Sequence, residues 1–159
     1  MVDGATGSEL DRRGVDCSMP LWGSSANLVA HDVLRDVHKH YLMSGAKAVT
    51  TNTFCCNERR LGKIGLGHLA QPLMIKAAEI AVQARDEVNP DALVFGCIAP
   101  VESCYNPKIT PPEEVLDSDL RTTIKALMDG GVDYILHETQ ANGREAIFRA
   151  KLSQELVPG

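Results

Sequence analysis

Apolar residues along the chain recur with two different periods, and the alternation between them predicts the architecture. In residues 31–44, Val33, Val37 and Tyr41 fall at i, i+4 and i+8, and Leu34 with Leu42 widens the stripe, so this segment reads as an amphipathic helix stopped by Gly45. Residues 68–88 place Leu69, Leu73, Ala77, Ile80, Ala81, Ala84 and Val88 on one side before Asn89-Pro90 ends the run. A third helix is expected from "TPPEE", with Thr110 as cap, Pro111 in the first turn and Glu113 completing a capping box; Leu116, Leu120, Ile124 and Leu127 form its stripe up to Gly130-Gly131. A fourth begins near Asn142, with Glu145 three residues on. Between these helices lie the short apolar runs 46–54, 91–100 and 132–140, each too short for a helix and each following a Gly or Pro stop. They read as buried strands of a parallel sheet, which makes the chain an α/β fold of about four βα units, counting a strand stub ahead of "DGATG".

The strands also resemble one another. Aligning residues 45–49 with 131–135 sets Asn52 against Glu138 and Thr53 against Thr139, a recurring unit of roughly forty residues that suits one long βα repeat. Polar side chains thus recur at the C-terminal ends of strands, where α/β folds gather their ligands. Alternation puts Tyr134, Leu136 and Glu138 on one face of the last strand and Ile135 and His137 on the other. A carboxylate on a buried face costs several kcal/mol unless paired, so Glu138 calls for a cationic partner from the protein or a ligand. The plainer alternative is a strand-end carboxylate that caps the following helix or meets solvent.

"DGATG", residues 3–7, is by itself a weak turn motif. As a site it would offer the Asp3 carboxylate to an ammonium group and the backbone N–H groups of Gly4 and Ala5 to a carboxylate, addressing both ends of an amino acid. Adjacent Cys55 and Cys56 lack a third ligand at metal spacing and read as ordinary loop thiols; His38 and His40 face apart on their helix. "GKIGLG" at 62–67 lacks both the spacing and the preceding strand of a phosphate loop.

Composition narrows the function. The 159 residues, 44% hydrophobic and 23% charged, fit one globular domain, and a net charge of -5 without a Lys/Arg cluster argues against nucleic acid. No run approaches the roughly eighteen apolar residues of a membrane span, and "MVDGATGSEL" does not read as an export signal. Five cysteines without a C-x-x-C pair point to reduced thiols and a cytoplasmic setting.

Taken in order, "DGATGSELDRRG", "PLW", "VHKHYLMSGAKAVTTNTF" and "GGVDYILHETQANGREA" resemble the homocysteine S-methyltransferase family, whose pattern is D-G-x-x-G-T/S-x-L, L-W, H-x-x-Y-x-x-A-G-A, T-N-T-F/Y and D-x-x-x-x-E-T. The resemblance covers essentially the whole chain. It implies a (βα)8 TIM barrel, a methyl group passed from a donor such as S-methylmethionine or S-adenosylmethionine to the homocysteine thiol in methionine biosynthesis, and a zinc ion on the thiolate. Asp3 and Glu138 match residues that hold the substrate amino group; Gly4 and Ala5 share the first loop, Thr51, Asn52 and Thr53 match the second-strand polar cluster, and Trp22 matches an aromatic near the site mouth. On this reading Asp3 and Glu138 orient the substrate and do not act as acid or base. The family's zinc ligands, a later cysteine and a C-terminal Gly-rich Cys-Cys motif, have no match, and the units number about half of what a barrel of ~250 residues needs. The expectation is therefore residues 1–159 as one domain, the N-terminal half of a homocysteine-binding barrel, inactive alone and open to self-association through its sheet edge. The alternatives are a non-enzymatic half-barrel, the homocysteine-binding part of a betaine- or folate-dependent methyltransferase, and an unrelated flavodoxin-like domain.

Overall fold

The computed structural model describes residues 1–157. Three strands, β1 (Ala48–Thr50), β2 (Leu93–Ile98) and β3 (Tyr134–His137), form a parallel sheet in the order β1-β2-β3. The expected stub of a first strand is present only as a parallel bridge from Val2 to Ala48, extended by the Asp3 N–H to the Ala48 carbonyl at 3.0 Å and the Lys47 N–H to the Met1 carbonyl at 2.8 Å. Successive strands are therefore neighbours, as in an arc of a (βα)8 barrel.

The helices are α1 (Thr6–Arg12), α2 (Ala26–Val29), α3 (His31–Met43), α4 (Glu58–Gly62), α5 (Ala70–Val88), α6 (Glu113–Asp129) and α7 (Gly143–Leu156), with short 3-10 turns at Trp22–Ser25, Gly67–Leu69 and Pro107–Ile109. The long helices α3, α5, α6 and α7 lie on one face of the sheet. There Leu42, Ala78, Ala81, Leu120, Ile124, Leu127 and Leu152 pack on Val49, Val94 and Ile98 in the main core. Gly96 leaves room for the side chains packed over β2: a Cβ there would meet Leu127, Val132 and Ile135 at 3.1–3.3 Å.

The helix stops follow the sequence reading. At Gly45 (φ +97°) the Gly45 N–H reaches the Leu42 carbonyl and the Ala46 N–H the Tyr41 carbonyl, a Schellman closure that only a residue tolerant of left-handed backbone completes without strain. Gly131 (φ +87°) ends α6 by the same pair of bonds, to Met128 and Leu127.

Three expectations need correction. The strands span fewer residues than the apolar runs that announced them, since 46–47 and 51–54, 91–92 and 99–100, and 132–133 and 138–140 lie outside β1, β2 and β3. Thr110 does not cap α6: the helix starts after Pro112, which is extended (ψ 162°), because a residue before proline is driven out of the helical region and two prolines follow Thr110 in succession. Its hydroxyl donates instead to the Pro107 carbonyl and to Glu145. Finally, the strands are not buried throughout, because the inner face of the sheet is covered only in part. On that face Leu93 is 38% and Tyr134 54% exposed, and β3 has a single strand neighbour among the described residues.

Candidate functional site

A cleft of about 540 Å³ opens at the C-terminal ends of the strands. The arrangement brings together Asp3 from the first strand stub and Glu138 from the end of β3, residues far apart in the chain, and both line the cleft. Asp3 is held by Thr50, whose N–H donates to Oδ2 at 2.8 Å and whose hydroxyl donates to Oδ1 at 2.9 Å. Burial raises the Asp3 carboxyl above the ordinary aspartate range; the two Thr50 bonds oppose this, and the nearby charge of Glu138 adds to it. Neither carboxylate takes part in a salt bridge among the described residues, although Glu138 was expected to find a cation if the protein supplied one. Nor does Glu138 cap α7, because the Asn142 side chain accepts from the Glu145 N–H in that role.

Gly4 and Ala5 line the same cleft, and neither N–H donates a hydrogen bond among the described residues. Their loop is braced from behind by Tyr41, whose hydroxyl donates to the Ala5 carbonyl at 3.3 Å and whose ring sits where a Gly4 side chain would stand. Trp22 forms an aromatic wall with Phe54, the ring centroids 6.0 Å apart and the planes at 26°, and Tyr105 meets Trp22 edge-on at 6.4 Å. Among the described residues, the two non-glycine residues with left-handed backbone belong to this neighbourhood: Trp22 (φ 50°) lines the cleft and Thr139 (φ 54°) follows Glu138. Such a conformation in a β-branched or bulky residue costs about 1–3 kcal/mol and persists where surrounding structure imposes it.

The polar cluster after β1 divides. Thr51 and Asn52 line the cleft, but their side chains serve the scaffold. Asn52 commits both amide protons, to the Gly23 carbonyl at 2.7 Å and to Asn27 Oδ1 at 3.0 Å, fastening the Trp22 loop to the strand end. Thr53, also expected at the substrate, does not line the cleft; its buried hydroxyl donates to the Cys97 carbonyl at 2.7 Å and pairs with the Thr51 hydroxyl at 2.8 Å. It faces β2 because the chain has already left the β1 ladder there and the strand alternation no longer applies.

Three residues at the site escaped the sequence reading. Thr50 carries Asp3, and its inward direction follows from register with Phe95 and Tyr134. Phe54 supplies the second aromatic. Cys97 lines the cleft with its thiol 3.1 Å from Glu138 Oε2, a contact across 41 residues that no local pattern announces.

The thiols do not form a metal centre. All five cysteines are free, and among the described residues no group of three or more His, Cys, Asp or Glu side chains is placed to hold a metal ion. Burial raises the Cys56 thiol to about 11 and lifts Cys55 as well, opposite to the thiolate a metal needs. The residues present therefore do not fit a zinc site. No helix among the described residues is long and apolar enough to cross a membrane.

Comparison with known proteins places this geometry. The profile of the homocysteine S-methyltransferase family matches residues 1–158. A homocysteine S-methyltransferase of Escherichia coli is 28% identical over 96% of this chain and 53% of its own length, and a methionine synthase of Mycobacterium tuberculosis is 34% identical over 86% of this chain and 12% of its own. The crystal structure of the metallated form of the E. coli homocysteine methyltransferase MmuM superposes with a TM-score of 0.89 at 27% identity, covering 99% of this chain and 59% of that one. The chain spans about half the length of the homocysteine S-methyltransferases it matches.

Proposed function

The chain belongs to the homocysteine S-methyltransferase family, and from that premise we propose that its cleft grips the amino-acid end of L-homocysteine while a methyl group is transferred to the sulfur. One observation carries the reading: Asp3 and Glu138 converge on a single cleft without a protein cation between them. Two carboxylates so placed repel each other and lose solvation, and an ammonium group relieves both penalties at once. The free N–H groups of Gly4 and Ala5 receive the substrate carboxylate. Thr51, Asn52 and Thr53 support the walls, and Trp22 with Phe54 offers an aromatic face to the positive centre of an onium donor such as a sulfonium, by cation–π attraction.

The transfer is a displacement. The homocysteine sulfur, as thiolate, forms a bond to the methyl carbon; the bond from that carbon to the donor sulfur breaks, and its electron pair leaves with the donor as a neutral thioether. A free thiol is mostly protonated at neutral pH. A zinc ion held by residues outside this chain would supply the thiolate; the described residues offer no ligand set for one, and the share proposed for this chain is binding and alignment. A reducing, cytoplasmic setting accords with five free cysteines. Self-association through the open side of β3 belongs to the same proposal, supported by the exposure of Leu93 and Tyr134 on the inner face.

Calorimetric titration tests the substrate assignment. L-homocysteine should bind at least ten-fold more tightly than its deaminated analogue, since a charge-assisted hydrogen bond is worth about 1.5–3 kcal/mol. Equal affinities would remove the amino-group role of Asp3 and Glu138.

A further inference from the structure

The proposed reading relies on Glu138, yet no cation fixes its carboxylate among the described residues. Its backbone is secured on both sides, the N–H donating to the Ile98 carbonyl at 3.0 Å and the carbonyl accepting from Gln140 Nε2 at 2.7 Å. Thr139 then turns the chain through a left-handed conformation. What remains free is the side-chain rotamer, and among the described residues one protein group hydrogen-bonds the carboxylate, the thiol of Cys97 at 3.1 Å from Oε2.

The backbone that carries this thiol is in turn fixed by side-chain hydroxyls at the end of β1. The Cys97 N–H donates to Thr51 Oγ1 at 2.9 Å, its carbonyl accepts from Thr53 Oγ1 at 2.7 Å, and the two hydroxyls pair with each other. The side chain is 2% exposed and stands on the inner face of β2 beside β3, in register with Leu136. A chain of contacts thus runs from the polar end of β1, through the backbone of β2, to the carboxylate at the end of β3.

We infer that Cys97 is a positioning residue for amino-acid binding: its protonated thiol donates to Glu138 and holds that carboxylate in the cleft beside Asp3, where both can grip one ammonium group. This rests on reading the cleft as an amino-acid site. The chemistry favours a neutral donor. A lysine or arginine in this position would fix Glu138 equally well but would cancel the negative charge that attracts the ligand. A thiol donates weakly and leaves the charge uncompensated. Burial, followed by the charge of Glu138 and the hydrogen bond to it, drives the Cys97 thiol well above its usual range, so it keeps its proton and remains a donor.

Two measurements on the 159-residue chain separate this inference from the substrate assignment. The first needs no ligand: the infrared S–H stretch of Cys97, isolated by subtracting the spectrum of Cys97→Ser, should shift in Glu138→Gln, and an unmoved band overturns the contact. The second is calorimetry with L-homocysteine and its deaminated analogue. Cys97→Ala should weaken homocysteine about 5- to 20-fold while leaving the analogue within about two-fold, and Cys97→Ser, which restores a donor, should recover most of the loss. Equal losses for both ligands, or no loss for either, overturn the positioning role. A shifted S–H band in a protein that does not distinguish the two ligands would overturn the substrate assignment and leave the Cys97–Glu138 contact standing.

Discussion

Asp3→Asn separates what the cleft does from what holds the fold. Asparagine has the size of aspartate and can keep both contacts to Thr50: its oxygen accepts from the Thr50 N–H, and its amide donates to the Thr50 hydroxyl, which rotates to accept. What disappears is the charge. In the ligand-free protein that charge is a liability, because burial and the neighbouring Glu138 both disfavour it. A carboxyl whose folded value is raised stabilises the fold at low pH, and that contribution is lost as pH rises through the ordinary aspartate range towards the raised value. At neutral pH the substitution should therefore leave the melting temperature unchanged or higher. Binding should move the other way, since one charge-assisted hydrogen bond of about 1.5–3 kcal/mol is lost, a weakening of roughly 10- to 150-fold for L-homocysteine. The raised carboxyl adds a pH signature: wild-type affinity falls on acidification at a higher pH than an unperturbed aspartate would give, and Asp3→Asn removes that step. Calorimetric titration from neutral to acid pH, with scanning calorimetry of both proteins, reads all three quantities. A variant that binds homocysteine within three-fold of wild type, or that loses affinity only together with thermal stability, would refute the reasoning.

Two further outcomes follow from other parts of the molecule. His38 is fully buried in α3, neither ring nitrogen has a hydrogen-bond partner among the described residues, and burial lowers its pKa from 6.5 to about 4. Stability is therefore complete above about pH 6.5, and roughly 3 kcal/mol of it is lost as pH falls towards 4, because the unfolded chain takes up the proton first; His38→Leu should flatten that slope in urea unfolding at pH 7 and pH 5, and an unchanged slope would contradict it. Tyr134→Lys, on the exposed inner face, should reduce concentration-dependent association in sedimentation velocity, and identical profiles would count against self-association through this side of the sheet.

Much of the site was readable in the sequence because its main groups sit at positions that local rules define. Asp3 opens a glycine turn and Glu138 closes an apolar strand, so their ends of strands could be named before any coordinates, and the structure places both on one cleft. Thr53 was not readable in its true role. A polar residue just past a strand end looks the same whether it faces ligand or β2, and only the departure of residues 51–54 from the ladder turns its hydroxyl to the Cys97 carbonyl. Cys97 was less visible still, since its importance lies in register between β2 and β3 and not in its own surroundings along the chain.

By itself the sequence determined the alternation of strand and helix, the stops at Gly45 and Gly131, and the polar character of the strand ends, because each depends on interactions within about four residues or on backbone conformations few residues adopt. Tertiary structure alone decided which of those polar groups meet. Contacts such as Thr50 with Asp3, Thr53 with Cys97 and Cys97 with Glu138 cross more than forty residues and exist only once parallel pairing sets the strands side by side. The exposed inner face was likewise undecided by the sequence: an apolar strand residue is the same whether or not another strand stands opposite, and burial is a property of the neighbours.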